Sequence, residues 1–266
     1  MQVSSLIGAI VGIAIGIGGA FGTSAAFGSG VGFGFLALGA IIVATTALYL
    51  AGNASNATSW WGLLWRGVLT GTKAGLDATF LALLFGVPVG LAIGIGVGII
   101  VFLAAIDAVS SSNVYQGVLG WTNWLMPTSW LVVGLGLAFF VVNLLGHVFG
   151  YWIGRQQFAA VQGFRVDWKT GSFFAKGGFV SNLNSWDTAF NMGNFAFVDS
   201  NNTDASWDME HEAGHNLNLG GFGSVFHFVG FFDEVVFGNE DAAYAERIAD
   251  SNDPATTNPQ VIGVWN

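Results

Sequence analysis

The chain has no cysteine and very little charge: Asp, Glu, Lys and Arg make up 9% of its 266 residues. Lack of cysteine excludes disulfides, thiol catalysis and thiolate metal sites, and leaves the redox compartment open. A water-soluble domain carries roughly a quarter of its residues charged. A chain with far fewer, and 53% hydrophobic, has apolar surface that must face something other than water. Bases are scarcest, with seven Lys and Arg against sixteen Asp and Glu and a formal net charge of −9. Binding to phosphate backbones needs a basic face, so nucleic acid is not an expected partner.

The shortage is uneven. Before Arg155 stand two acids, Asp77 and Asp107, and two bases, Arg66 and Lys73; from Arg155 onward there are fourteen acids and five bases. This shift predicts a boundary, with a transmembrane domain over residues 1–154 and an aqueous domain over 155–266. Four apolar stretches in the first part approach the ~20 residues needed to cross a bilayer: Leu6 to Gly22, Val31 to Ala51, Ala78 to Ile106 and Trp130 to Ile153. Pro88 within the third predicts a kink or tilt. Tryptophans flank the stretches, where they suit the headgroup interface. Arg66 and Lys73 fall between the second and third stretches, and Arg155, Arg165, Lys169 and Lys176 follow the fourth. The positive-inside bias then predicts an integral protein of a cytoplasmic (inner) membrane, with both termini and the second domain on the cytoplasmic side.

Glycine is abundant and ordered. Gly8, Gly12 and Gly16 repeat every fourth residue, as do Gly86, Gly90, Gly94 and Gly98, and Gly146, Gly150 and Gly154. On helices this period forms stripes where another helix approaches closely, predicting zipper-like packing within the bundle or between subunits. His147 and Asn143 are the strongly polar residues deep in the fourth stretch. Each is a candidate for a mechanistic role or for a local hydrogen bond.

In the second part, Gly163 to Trp168, Phe173-Phe174 with Gly177-Gly178-Phe179-Val180, and Asn194 to Asp199 read as strands of a small antiparallel sheet, with a turn at Lys169-Thr170-Gly171. A helix is predicted from near Ser206 to Gly220-Gly221, with Asp208 and Glu210 at its electropositive start. It carries His211-Glu212-Ala213-Gly214-His215, an HExxH pattern. Residues four apart share a helix face, so both imidazoles can hold one cation, while Glu212 is placed to move protons for a water beside it. Zinc suits such a ligand set. Asn218 and Gly221 stand three and six residues after His215, so the third-histidine solution of metzincins fails. A carboxylate from a second helix, predicted from Asn239 to Asp250, is the alternative. Glu246 is the first choice for third ligand, with His227, Asp233, Glu234, Glu240 and Asp241 as rivals. Asp250, one turn beyond Glu246, can orient a ligand imidazole. Tyr244 is a candidate donor to the oxyanion of a tetrahedral intermediate. The segment Phe195 to Val198 is the expected edge along which a substrate strand would add.

HExxH followed by Glu246-Arg247-Ile248-Ala249-Asp250, on a chain with several membrane helices, resembles the integral-membrane gluzincins of the CAAX-protease and heat-shock membrane-protease type. The resemblance covers these two motifs. It implies a zincin-like α+β metal domain, a single zinc on the cytoplasmic side, and cleavage of protein or peptide substrates. His211, His215 and Glu246 would be ligands, Glu212 the base and Asp250 an outer partner. A second reading is a non-catalytic assembly subunit, bound to other membrane subunits or to itself, with a structural or vestigial zinc. An open fourth position on the metal discriminates the two.

Overall fold

The computed structural model describes residues 3–29, 31–55, 59–86, 88–110, 112–154, 160–183, 189–203, 206, 208–238 and 243–250, and their side chains except at 23–38, 40, 107, 151, 248 and 250. Apolar runs fold as helices that satisfy their own backbone groups, as a lipid setting demands. They are α1 (Val3–Ser29), α2 (Val31–Asn53), α3 (Trp60–Phe85), α4 (Val89–Leu103), α5 (Asp107–Ser110), α6 (Asn113–Thr122) and α7 (Trp130–Trp152). Among the described residues, three helices are long and apolar enough to cross a membrane: α1 over Val3–Gly22, α3, and α7 with its preceding turn. The described apolar part of α2, Ile41–Asn53, is shorter, as is α4. Trp130 and Trp152 close the two ends of α7. At 1.5 Å per residue they lie about 33 Å apart, close to a hydrocarbon core of ~30 Å.

The expected span from Ala78 to Ile106 is two helices instead. The chain leaves α3 at Gly86, which has φ 70, and re-enters a helix at Val89. The turn is sharp enough for α4 to fold back along α3, with Gly90 against Leu81 and Ala82 and Gly94 against Ala78. Arg66, Lys73 and Asp77 therefore belong to a helix rather than to a polar loop. All three are buried, seven and four residues apart on one face of α3. The Lys73 ammonium donates to Asp77 Oδ2 at 2.5 Å and contacts Met126 Sδ at 3.2 Å, while the Thr128 amide donates to Asp77 Oδ1 at 2.9 Å. A buried charge is tolerated because its partner and further hydrogen bonds replace lost water. With Arg66 and Lys73 inside the protein, neither marks a cytoplasmic loop for the positive-inside bias.

The first glycine stripe is reciprocated. A Cβ at Gly8, Gly12 or Gly16 would fall within 2.2 Å of a carbonyl oxygen of α3, and one at Gly67 or Gly71 within 2.1 Å of a carbonyl of α1. Backbone thus meets backbone along α1 and α3. Gly146 of the third stripe faces the Phe179 side chain, and a Cβ at Gly154 would meet open space.

The second part supplies β1 (Val161–Asp167), β2 (Ser172–Gly177), β3 (Ala189–Met192) and β4 (Phe195–Val198), then α8 (Met209–Phe222), α9 (Ser224–Val235) and α10 (Tyr244–Asp250). The four-stranded sheet has the order β1-β2-β4-β3. It is mixed rather than antiparallel, because β2 and β4 run parallel, with Phe173 beside Phe195 and Lys176 beside Val198. The chain crosses to the far edge before turning at Gly193, so β4 enters beside β2 in the same direction.

The sheet lies along α7, not beyond its end. Gly136 faces Met192, Phe139 meets Phe197, and Phe140 meets Phe195 and Phe164. Asn143 donates to Gly177 O and accepts from the Val180 amide, and His147 Nδ1 accepts from the Val161 amide at 3.0 Å. Positions 136, 139, 140, 143, 146 and 147 form one helical face, whereas Leu137, Val141, Leu144, Leu145 and Val148 on the rest of the helix are exposed. Asn143 and His147 are thus anchors for strand ends. The largest apolar core joins both parts of the chain, packing Tyr49, Leu69, Leu119 and Met126 with Leu217, Phe226 and Tyr244.

Candidate metal centre

α8 starts after Asp208, the one described non-glycine residue with positive φ (52°), whose carboxylate accepts from Asn202 Nδ2. Glu210 and Glu212 occupy its first turn, where negative charge offsets the helix dipole. The helix runs past the glycine pair to Phe222 and stops at Gly223, φ 86. Polar side chains fix it on every side. Asn191 of β3 donates to Glu212 O, Asn216 donates to Thr170 O and Ser172 Oγ, and Asn218 donates to Ala245 O at 2.9 Å. Asn123, after α6, donates to both oxygens of Asn216.

Glycines admit the next layer. A Cβ at Gly214 would lie 2.7 Å from the Ala249 backbone, and one at Gly230 2.6 Å from the Ala245 methyl. The glycine inside the HExxH motif is what lets α10 approach closely enough for Glu246 to reach the histidines. His211 Nε2 and His215 Nε2 are 3.2 Å apart, and Glu246 Oε2 is 3.3 Å from each. Three ligands at about 2.0 Å from a tetrahedral ion stand about 3.3 Å apart, so the triangle has the size such an ion requires. These residues can hold a metal ion. Two imidazole lone pairs and a carboxylate aimed at one point are only partly satisfied by a shared proton.

The electrostatics agree. Burial alone would raise the pKa of Glu246, but His215 and His211 outweigh it and hold the carboxyl well below its ordinary range. Burial likewise opposes charge on His215, and Glu246 overcomes it, so that imidazole shifts upward. His227 goes the other way: burial, with His215 beside it, pushes it down to about 4.

The triangle opens on a cavity of about 50 Å³, room enough for a cation and a water. Its walls include Phe190, Asn191, Glu212, His227, Phe231 and Glu234. Compared with models of protein families, with curated proteins and with solved structures, the chain matches none. The site must be read from its own geometry.

Of the residues singled out from the sequence, His211, His215, Glu246 and Glu212 converge on this cavity. Among the rivals for the third position, His227 and Glu234 line it without joining the triangle, and His227 Nε2 lies 3.3 Å from Asn191 O. Asp233 faces α2, where its carboxylate accepts from Tyr49. Glu240, Asp241 and the Asp250 side chain lie outside the described residues. Tyr244 is not on the cavity wall; its ring packs between Tyr49 and Phe226, 1% exposed. The expected edge segment Phe195 to Val198 is interior, paired on both sides and fully buried, and β3 is the edge that borders the cavity. Sequence reasoning missed β3, whose four residues show no clear alternation. It also missed Asn191, Asn216 and Gly214 as supports, although a cluster of asparagines around a metal motif is a usable signal.

Proposed function

We propose that the protein is an integral-membrane zinc-dependent endopeptidase that hydrolyses peptide bonds in membrane-proximal or hydrophobic segments of other proteins. One observation carries this reading: three ligand atoms spaced for a tetrahedral cation open on the same cavity that Glu212 lines. Two nitrogens and one oxygen with a free fourth direction suit catalytic zinc. When bound, zinc would polarise a water and the scissile carbonyl. Glu212, 3% exposed, is placed to take a proton from a water in this cavity and would deliver it to the leaving amine. Its burial keeps the proton from bulk solvent between the two events.

Substrate is placed along β3, the outer described strand of the sheet, which borders the cavity; an extended peptide adds to such a strand. The preference for apolar segments rests on α9. This helix packs against α2 and α7, and its Phe231 and Val235 wall the cavity while remaining exposed, next to exposed Phe232, Val236 and Phe237. We read the sheet with α8 and α10 as a zincin-like unit and α2, 23 residues long, as a fourth span. The bases after α7 favour a cytoplasmic metal side. The assembly-subunit reading requires a fourth protein ligand or a plugged cleft, and among the described residues the ligand group has three members.

The test uses purified full-length protein with an apolar helical peptide in detergent, products being read by mass spectrometry. Wild type should cleave the peptide and stop when zinc is chelated. Glu212→Gln should bind zinc normally and fail to cleave. Equal product from both forms, or none from zinc-loaded wild type across a panel of apolar peptides, would sink the enzyme reading.

A further inference from the structure

The third ligand sits on a helix of seven residues, α10, too short to be stable by itself. Something else must hold Glu246 where the histidines need it. Both sequence neighbours of Glu246 are bonded to the end of α2. The Ala245 amide donates to Tyr49 Oη at 3.4 Å, and Tyr49 donates in turn to Asp233 Oδ2 of α9 at 2.9 Å. Arg247 Nη2 donates to the carbonyl oxygen and the side-chain oxygen of Asn53, at 3.3 and 3.2 Å. Asn53 Nδ2 reaches the same Asp233 oxygen at 3.4 Å. Tyr49 and Asn53, four apart, thus present one face of α2 to α9 and α10 together. The Tyr49 ring adds edge contacts to Phe226 and Tyr244, and a Cβ at Gly52 would lie 2.8 Å from the Tyr244 ring. The α2 surface is therefore shaped to this short helix.

We propose that the end of α2 positions the third ligand: Tyr49 and Asn53 hold α10 at the height where Glu246 meets the His211–His215 pair. This rests on the metal-site part of the function proposed above and not on peptide cleavage. Outer partners of metal ligands typically change affinity by 10–100-fold when removed.

The experiment measures zinc affinity of the detergent-purified full chain by competition with a chelator. Tyr49→Phe keeps the ring and deletes only the hydroxyl, and should weaken zinc by about 10-fold or more. Asn53→Ala, which leaves the aromatic packing intact, should do the same. In a Glu246→Ala background neither change should weaken zinc further, because the ligand through which they act is gone. Tyr115→Phe removes another buried hydroxyl, one bonded to Ile100 O, and should leave zinc affinity unchanged. Wild-type affinity in both Tyr49→Phe and Asn53→Ala would overturn the proposal. So would losses of equal size with and without Glu246, since they would report general damage. A wild-type chain that binds no zinc would instead remove the metal site itself, and this inference with it.

Discussion

Each ligand atom of the His211–His215–Glu246 triangle contributes a lone pair aimed at one point. His215→Ala should lower zinc affinity by more than the ~100-fold upper range for outer partners, measured by metal content after dialysis. His227 makes a different forecast. Its folded pKa of about 4 lies below the ordinary 6.5, so the unfolded chain binds a proton more readily between those values. Stability is therefore full above pH 6.5 and falls as acid approaches pH 4, by up to about 3 kcal/mol. Metal-free wild type should lose more melting temperature between pH 7 and 4.5 than His227→Gln does. The triangle was legible in the sequence because two of its members are four residues apart and the third is a carboxylate in a second predicted helix, within Glu246-Arg247-Ile248-Ala249-Asp250. Tyr49 and Asn53 were not, since their partners lie 180 or more residues away and no local pattern joins them.

Among elements, α1 and α3 are held by close backbone contact. Gly71→Ala would put a Cβ 2.0 Å from Ala9 O, where no side chain can yield, so the helices must part. Its melting temperature in detergent should drop by several degrees. Gly18→Ala, facing open space, should hold or raise it, because alanine favours a helix by about 1 kcal/mol over glycine. Equal effects would remove the contact argument. The glycine period on α1 announced this packing; α3 carries the same period at Gly67, Gly71 and Gly75, hidden in a stretch that its charged residues make look like a loop. Arg66, Lys73 and Asp77 look like loop residues until their burial on one face of α3 is seen. Pro88 signalled a kink, and the chain reverses there because α4 can lie against the small residues Ala74, Ala78 and Ala82.

For the molecule as a whole, the main core crosses the compositional boundary near residue 155, with Tyr49 and Leu69 packing on Phe226 and Tyr244. Residues 155–266 produced alone should fail to fold and bind zinc only weakly. Co-production with residues 1–154 should restore both, read by circular dichroism and chelator competition. The boundary in charge was visible because lipid-facing residues cannot be charged. The lateral placement of the sheet was hidden, since nothing local to β1 or β4 says which face of α7 they cover. That placement has a mechanical side. Arg165, next to the Phe164 that touches Phe140 midway along α7, is exposed. Its guanidinium reaches Ser206 O, and a bilayer crossed by α7 would have to thin on this flank to leave that polar edge of the sheet in water. The protein would carry its own dimple in one leaflet, and leaflet thickness would then set how easily the cleft is wetted.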